Sequence, residues 1–253
     1  MGILITGATS GIGYEFASIY AKNQHNLILV SRNKNKLEDI KLDFEEKYKV
    51  NIKIISIDLS IPNASKKLIS NLTNTNIDII INNAGVGEYG KFINNDIEKL
   101  ISMINLNIIT LTETTHHFAK HMAKNGGGKI LNVASTAAFQ PVPTFAVYAA
   151  TKAYVLNFSE AISYELQGSG VEVCTLCPGP TKTNFDKNSN ATHSKHLTQG
   201  TMSSLVVAQA GAKQLENNKM TLVVGLKNRL LAFASTTNPF RKLALIISAN
   251  IVK

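Results

Sequence analysis

Gly2-Ile3-Leu4-Ile5-Thr6-Gly7-Ala8-Thr9-Ser10-Gly11-Ile12-Gly13 sets a short apolar run against a glycine-rich turn, and the residues after it continue as an apolar helical pattern. Glycine allows a tight turn, and its missing Cβ lets backbone approach a pyrophosphate closely. A helix that starts there offers unpaired N–H groups and partial positive charge to a phosphate. The spacing is G-x-x-x-G-x-G rather than the G-x-G-x-x-G of the general dinucleotide fingerprint. Taken alone, a purely structural turn therefore remains an open reading.

Outward from this turn, β-rich runs alternate with longer helical patterns. Strands are expected at Gly2–Thr6, Asn26–Val30, Ile52–Ile57, Ile77–Asn82, Lys129–Ala134, Val171–Cys177 and Thr221–Val224. Runs such as Leu27-Ile28-Leu29-Val30 and Ile79-Ile80-Ile81 are apolar throughout, as strands covered on both faces are. Helices are expected over about 11–23, 34–49, 61–72, 95–124, 145–168 and 200–217. The alternation predicts βαβ units with right-handed crossovers. The fold expected is α/β: a single Rossmann-type domain over residues 1–253, with a doubly wound parallel sheet of about seven strands and helices on both faces.

Composition agrees and excludes other classes. A chain of 253 residues, 44% of them hydrophobic, can build a core without disulfide or metal staples. It is neither disordered nor collagen-like. No run of 18 or more apolar residues suggests a membrane-spanning helix. The N-terminal residues place no basic region before an apolar run, so the expected location is cytoplasmic. Cys174 and Cys177 form a CxxC within an alternating strand pattern, where residues three apart face opposite ways; they are expected to be separate core thiols. His117 and His121 share a helical face, but without an H-E-x-x-H pattern a solvated or interface face is the expectation, and no metal site is assigned. The formal net charge of +9 is mostly scattered with few aromatics interleaved, which argues against nucleic-acid binding.

The second expected strand runs into Val30-Ser31-Arg32, with Lys34 and Lys36 nearby. In dinucleotide-binding sheets an acidic residue at this place bonds a ribose 2′-hydroxyl, and an arginine takes over for a 2′-phosphate. Arg32 can grip a phosphate bidentately, so NADP(H) is expected over NAD(H). Farther on, Ser135 closes the fifth strand, and Tyr148 and Lys152 lie four apart on one helix face. A phenol titrates near pH 10, too high for efficient proton exchange at neutrality. An ammonium about 4–5 Å away contributes on the order of 3–4 kcal/mol at an effective dielectric of about 20. At about 1.4 kcal/mol per pKa unit, that could bring the phenol down by about two to three before desolvation takes some back. On its own, Y-x-x-x-K is also common as a surface pair.

The joint pattern is more specific. Thr6–Gly13, Asn82-Asn83-Ala84-Gly85, Asn107, Ser135, the Tyr148/Lys152 pair and Pro178-Gly179-Pro180-Thr181-Lys182-Thr183 follow one another with 13 residues from Ser135 to Tyr148. In order and spacing, this set resembles the short-chain dehydrogenase/reductase family across nearly the whole chain. The resemblance implies an NADP(H)-dependent carbonyl reductase or alcohol dehydrogenase. Tyr148 would exchange a proton with the substrate oxygen, Ser135 would hydrogen-bond that oxygen, and Lys152 would hold the nicotinamide ribose and depress the tyrosine pKa. Asn107 would order a water in a proton relay; Asn105 competes for that role, and the family's 28-residue spacing to the serine favours Asn107. The phosphate turn would be Gly7, Thr9, Ser10, Gly11, Ile12 and Gly13, with Ser31 and Arg32 at the adenosine end. Asp58 and Leu59 would flank the adenine, and Asn83, Ala84 and Gly85 would line the adenosine ribose. Pro178, Gly179, Thr181 and Thr183 would meet the nicotinamide end. One departure concerns the cofactor: some NADP-preferring members carry a basic residue where this chain has Ser10, so the preference rests on Arg32.

Two regions stand apart from the alternating pattern. Residues 184–200 are polar and form a long connection expected to act as a substrate lid. Residues 217–253 carry six Lys or Arg and no Asp or Glu, with apolar residues at helical spacing. They form either packing or oligomer-interface helices or an anchor on anionic membrane, which would make the protein membrane-peripheral. The substrate pocket is expected to draw on Ala137–Pro143, Glu88–Lys91 and the lid, none of which names a particular carbonyl or alcohol. Family members pair through the helices near 95–124 and 145–168, which implies a homodimer or homotetramer. The competing class is a non-catalytic NADP sensor, which would have no use for the Ser135/Tyr148/Lys152 set.

Overall fold

The computed structural model describes residues 2–73, 75–185, 189, 201–237, 240, 242, 245–246 and 248–249. Seven strands form one parallel sheet: β1 (Gly2–Thr6), β2 (Asn26–Ser31), β3 (Ile52–Ser56), β4 (Ile79–Asn82), β5 (Gly128–Val133), β6 (Val171–Cys177) and β9 (Thr221–Val223). Their order is β3-β2-β1-β4-β5-β6-β9, with β1 and β4 adjacent in the middle. Between these two strands the direction of winding reverses. An open parallel sheet binds its ligands outside the strands' carboxyl ends at such a switch point.

Alternating side chains explain the two-sided cover. In β1, Ile3 and Ile5 enter one hydrophobic cluster while Leu4 enters another. The first cluster also takes Phe16, Leu37 and Val207, from α1 (Gly11–Lys22), α2 (Lys34–Tyr48) and α7 (Ser204–Glu216). The second takes Leu68 and Phe118, from α3 (Ala64–Ser70) and α5 (Leu111–Lys124). The expected fold class holds: a doubly wound sheet of seven parallel strands with helices on both faces. Cys174 and Cys177 are free, buried thiols that join separate clusters, as their spacing on a strand predicts. Burial pushes them up to about 11 and about 12, respectively.

Several elements differ from the sequence pattern for local reasons. The helix expected from residue 61 starts only at Ala64, because Pro62 precedes Asn63 and Asn63 sits in the left-handed region at φ 63°. The helix expected over 95–124 is three pieces: α4 (Ile97–Ile104), a π-helical segment Asn105–Thr110, and α5. The wider π turn separates two asparagines that share one pattern: Asn107 is buried and Asn105 only half-buried. A small parallel pair, β7 (Thr181–Lys182) with β8 (Met202–Ser203), was not foreseen. The long helix α6 spans Ala146–Glu165 and the last described helix, α8, spans Leu226–Thr237. The expected lid at 184–200 lies outside the described residues except for Asn184, Phe185 and Ser189. Among the described residues, no helix is long and apolar enough to cross a membrane.

Candidate active site

The carboxyl ends of β1, β2, β4, β5 and β6 open into one cleft of about 380 Å³. At its centre is the turn after β1. Gly7 has φ +68°, and a Cβ there would come within 2.9 Å of Asn83 Nδ2 and 3.0 Å of the Ala84 Cα. Ser10 caps α1 in extended conformation but makes no side-chain capping bond, so the first N–H groups of α1 stay available beside the cleft-lining Gly11 and Ile12. Thr9, Ser10, Ser31 and Arg32 continue the lining, and the Thr9 and Ser31 hydroxyls lie 2.9 Å apart. The Arg32 guanidinium is largely exposed and 3.9 Å from the Asp58 carboxylate, a spacing that leaves its fork open to a second anion.

Asn83, Ala84 and Gly85 follow β4 along the opposite wall, with Leu59 near Asp58. Asn83 ties that wall to the glycine turn: its Nδ2 donates to the Thr6 carbonyl at 2.9 Å, and its backbone N–H donates to Thr6 Oγ1 at 3.0 Å. Pro178, Gly179, Thr181 and Thr183 line the end beyond β6.

Ser135, Tyr148 and Lys152 line the same cleft beyond the end of β5. Ser135 caps the short turn Thr136–Phe139, its Oγ accepting from the Ala137 N–H at 3.1 Å. Tyr148 and Lys152 stand one turn apart on α6, with the ammonium 5.8 Å from the phenol ring centroid. Lys152 Nζ donates to the Val133 carbonyl at 2.8 Å and is buried, so desolvation lowers the lysine to about 8 from its ordinary 10.5. Asn107 is bracketed by one residue: its Oδ1 accepts from the Val86 N–H at 3.1 Å, and its Nδ2 donates to the Val86 carbonyl at 2.9 Å. The same Nδ2 is 3.0 Å from Thr151 Oγ1 on α6. Gly85 leaves a gap here, since a Cβ on it would lie 3.3 Å from both Asn107 Oδ1 and Lys152 Nζ.

Of the catalytic and cofactor residues singled out from the sequence, all but Gly13 and Asn107 line the cleft; of the segments expected to form the substrate pocket, Ala137 and Val142 line it and Glu88–Lys91 does not. Gly13 sits behind the turn, where a Cβ would fall 2.3 Å from the Gly7 carbonyl oxygen. Asn107 stands one layer back, behind Gly85. The wall beside Tyr148 was foreseen in part: Val142 falls in the expected pocket segment Ala137–Pro143 and Phe185 in the expected lid, whereas Phe145 was not singled out. Phe145 and Phe185 hold the Tyr148 ring at centroid distances of 5.5 and 5.2 Å, and Val142 completes the lining. Phe145, one turn before Tyr148 on the same chain segment, could have been read from its spacing. The Val133 carbonyl, the Val86 bracket and Thr151 could not, because each is brought in by tertiary packing.

A family model described as short chain dehydrogenase matches residues 2–194, so the chain belongs to that family. Among curated relatives, the chain is 35% identical over 188 residues to a very-long-chain 3-oxoacyl-CoA reductase-B of Danio rerio, a match spanning 73% of this chain and 60% of the relative. It is 33% identical over 179 residues to the Homo sapiens very-long-chain 3-oxoacyl-CoA reductase, spanning 69% and 57%. The chain thus spans 57–60% of the length of these relatives. A solved short-chain dehydrogenase of Sphingobium yanoikuyae, in complex with NADPH, superposes with a TM-score of 0.84 at 28% identity, covering 92% of this chain and 91% of that one. A solved 7β-hydroxysteroid dehydrogenase gives a TM-score of 0.87 at 25% identity, covering 98% and 96%.

Proposed function

We propose that the protein is an NADP(H)-dependent oxidoreductase that interconverts a carbonyl and an alcohol, with Tyr148 as the proton donor and acceptor. The observation that carries this reading is that one cleft holds both an uncapped helix start behind a glycine turn and the Ser135, Tyr148 and Lys152 side chains.

The cleft fits a dinucleotide phosphate on this chain's own features. The glycine turn has no room for a Cβ at Gly7, and the start of α1 offers N–H donors and partial positive charge to a pyrophosphate. Arg32, with Thr9 and Ser31 beside it, supplies the cation and hydroxyls that suit a ribose phosphate. NADPH in the Sphingobium yanoikuyae relative supports the same assignment. When bound, the nicotinamide supplies the hydride.

The protein's residues do the rest. In reduction the Tyr148 hydroxyl gives a proton to the substrate oxygen while Ser135 donates a hydrogen bond to that oxygen; in oxidation the proton returns to Tyr148. Lys152 places positive charge beside the phenol and favours its ionised form. Asn107, fixed by Val86, orients the polar layer behind Gly85 and Lys152.

The substrate is read as a carbonyl or secondary alcohol on an apolar body, because Val142, Phe145 and Phe185 bound the cleft near Tyr148. The names of the relatives, 3-oxoacyl-CoA reductase and 7β-hydroxysteroid dehydrogenase, agree with such substrates. For the homo-oligomer, a surface of fitting chemistry is formed by the exposed Ile97, Ile101, Ile109 and Tyr154 on α4, the π segment and α6.

The test is a screen of NADPH oxidation against water-soluble aldehydes, ketones, 3-oxoacyl thioesters and steroid ketones, run in parallel with an NADPH fluorescence titration. The expected result is NADPH binding together with turnover of at least one apolar ketone class. Failure to bind NADPH would overturn the cofactor assignment. Binding without turnover of any class would favour the sensor reading.

A further inference from the structure

Helix α8 carries its polarity inside out. A surface helix ordinarily turns its apolar stripe to the core and its polar side chains to water. In α8 the inward positions are Asn228, Ala232 and Ser235: Asn228 Nδ2 donates to the Val224 carbonyl at 2.7 Å, Ala232 is buried, and Ser235 Oγ donates to Gln140 Oε1 at 2.7 Å. The outward positions are Leu226, Leu230 and Phe233, spaced i, i+4 and i+7 and exposed to 73%, 62% and 69%. At 100° per residue, Lys227 and Arg229 fall on the two flanks of that stripe. Leu245 and Ile246 beyond the helix are exposed as well, and Lys242 adds another exposed cation. From residue 217 to the last residue there is no Asp or Glu.

We propose that α8, with the exposed Lys242, Leu245 and Ile246 after it, forms a docking surface for an anionic lipid bilayer. An apolar stripe flanked by cations is the chemistry of a helix that lies in a membrane interface: the side chains of the stripe enter the acyl boundary and the cations meet lipid phosphates. The absence of carboxylates argues against a second copy as the occupant. A twofold pairing buries the same patch on both partners, so it would gather Lys227 and Arg229 of both copies into one interface with no acid from this segment to answer them. The surface also has a fixed place in the fold. Asn228 packs on Gly179, where a Cβ would come within 2.3 Å of its Nδ2, and Ser248 Oγ donates to the Pro141 carbonyl. Gln140 and Pro141 directly precede Val142, so docking sets the apolar end of the cleft beside the lipid. This surface does not depend on hydride transfer, and vesicle binding tests it separately from the catalytic reading.

The experiment is co-sedimentation of the full chain with vesicles of phosphatidylcholine alone and of phosphatidylcholine mixed with phosphatidylglycerol, at low and at physiological salt. The expected result is binding to the mixed vesicles that weakens as salt rises, with little binding to phosphatidylcholine alone. Lys227→Glu with Arg229→Glu is expected to lower partitioning about 30-fold or more. Leu230→Glu with Phe233→Glu is expected to abolish it while the melting temperature and NADPH binding stay near those of the parent chain. No binding to the mixed vesicles at low salt would overturn the proposal. So would binding that neither double variant changes, or a dimer without vesicle affinity that Leu230→Glu with Phe233→Glu dissociates in sedimentation velocity.

Discussion

The Lys152 ammonium lies 5.8 Å from the ring centroid of Tyr148 and donates to the Val133 carbonyl at 2.8 Å, with its side chain buried. One contact points the cation along the strand end and the other brings it beneath the phenol. Holding an ammonium in so dry a place has a cost, and that cost is visible in its lowered pKa of about 8.

That cost gives a pH signature. Below pH 8, Lys152 is charged in both the folded and unfolded chain, and the folded state carries the full desolvation penalty. Between about 8 and 10.5 the folded lysine loses its proton while the unfolded one keeps it, so stability rises with pH across that window. In Lys152→Met the group is absent. Denaturant titrations from pH 7 to 10.5 are therefore expected to show the parent chain gaining on the variant by up to about 3 kcal/mol. A gap that stays constant with pH would show that burial does not penalise this charge.

Arg32 is the cation at the cleft rim, near Asp58. Arg32→Ala removes the fork and leaves the carboxylate facing the ribose end. The dissociation constant for NADPH is expected to rise about 10- to 100-fold, with that for NADH changed far less. Parallel fluorescence titrations with the two nucleotides check this. Equal losses for both would mean that Arg32 does not read the phosphate.

Gly13 acts from behind the turn. A Cβ at this position would sit 2.3 Å from the Gly7 carbonyl oxygen and 2.5 Å from Asn83 Nδ2, so α1 must move away from the sheet to admit it. Gly13→Ala is expected to destabilise the fold by about 1–3 kcal/mol. NADPH affinity should fall with it, because the displaced turn is the proposed phosphate-binding turn. An unchanged melting temperature would contradict this packing role.

Much of this arrangement was legible because parallel strands leave a strong mark. Leu27-Ile28-Leu29-Val30 and Ile79-Ile80-Ile81 are apolar at every position, which follows when both faces of β2 and β4 are covered. The glycine turn, Ser135 and the Tyr148/Lys152 pair were legible because each sits at a fixed distance from a strand or helix end. Asn107 was preferred to Asn105 only on the 28-residue spacing that the resemblance carries; its burial goes with the π segment, whose widened turn no residue in Asn105–Thr110 announces. The Val133 carbonyl and the Val86 bracket are backbone groups and carry no side-chain signal. The inverted helix α8 showed only as basic and apolar composition, because which of its faces meets the body depends on the hydrogen bonds of Asn228 and Ser235.

The central claim is that the phenol of Tyr148 moves the proton, and single-turnover oxidation of NADPH by Tyr148→Phe tests it most directly. Removing one hydroxyl leaves the ring packed between Phe145 and Phe185 and leaves the glycine turn untouched. The hydride-transfer rate with any ketone that the parent chain reduces is expected to fall by about 100-fold or more, with NADPH affinity nearly unchanged. A variant that reduces the ketone at the parental rate would contradict the account.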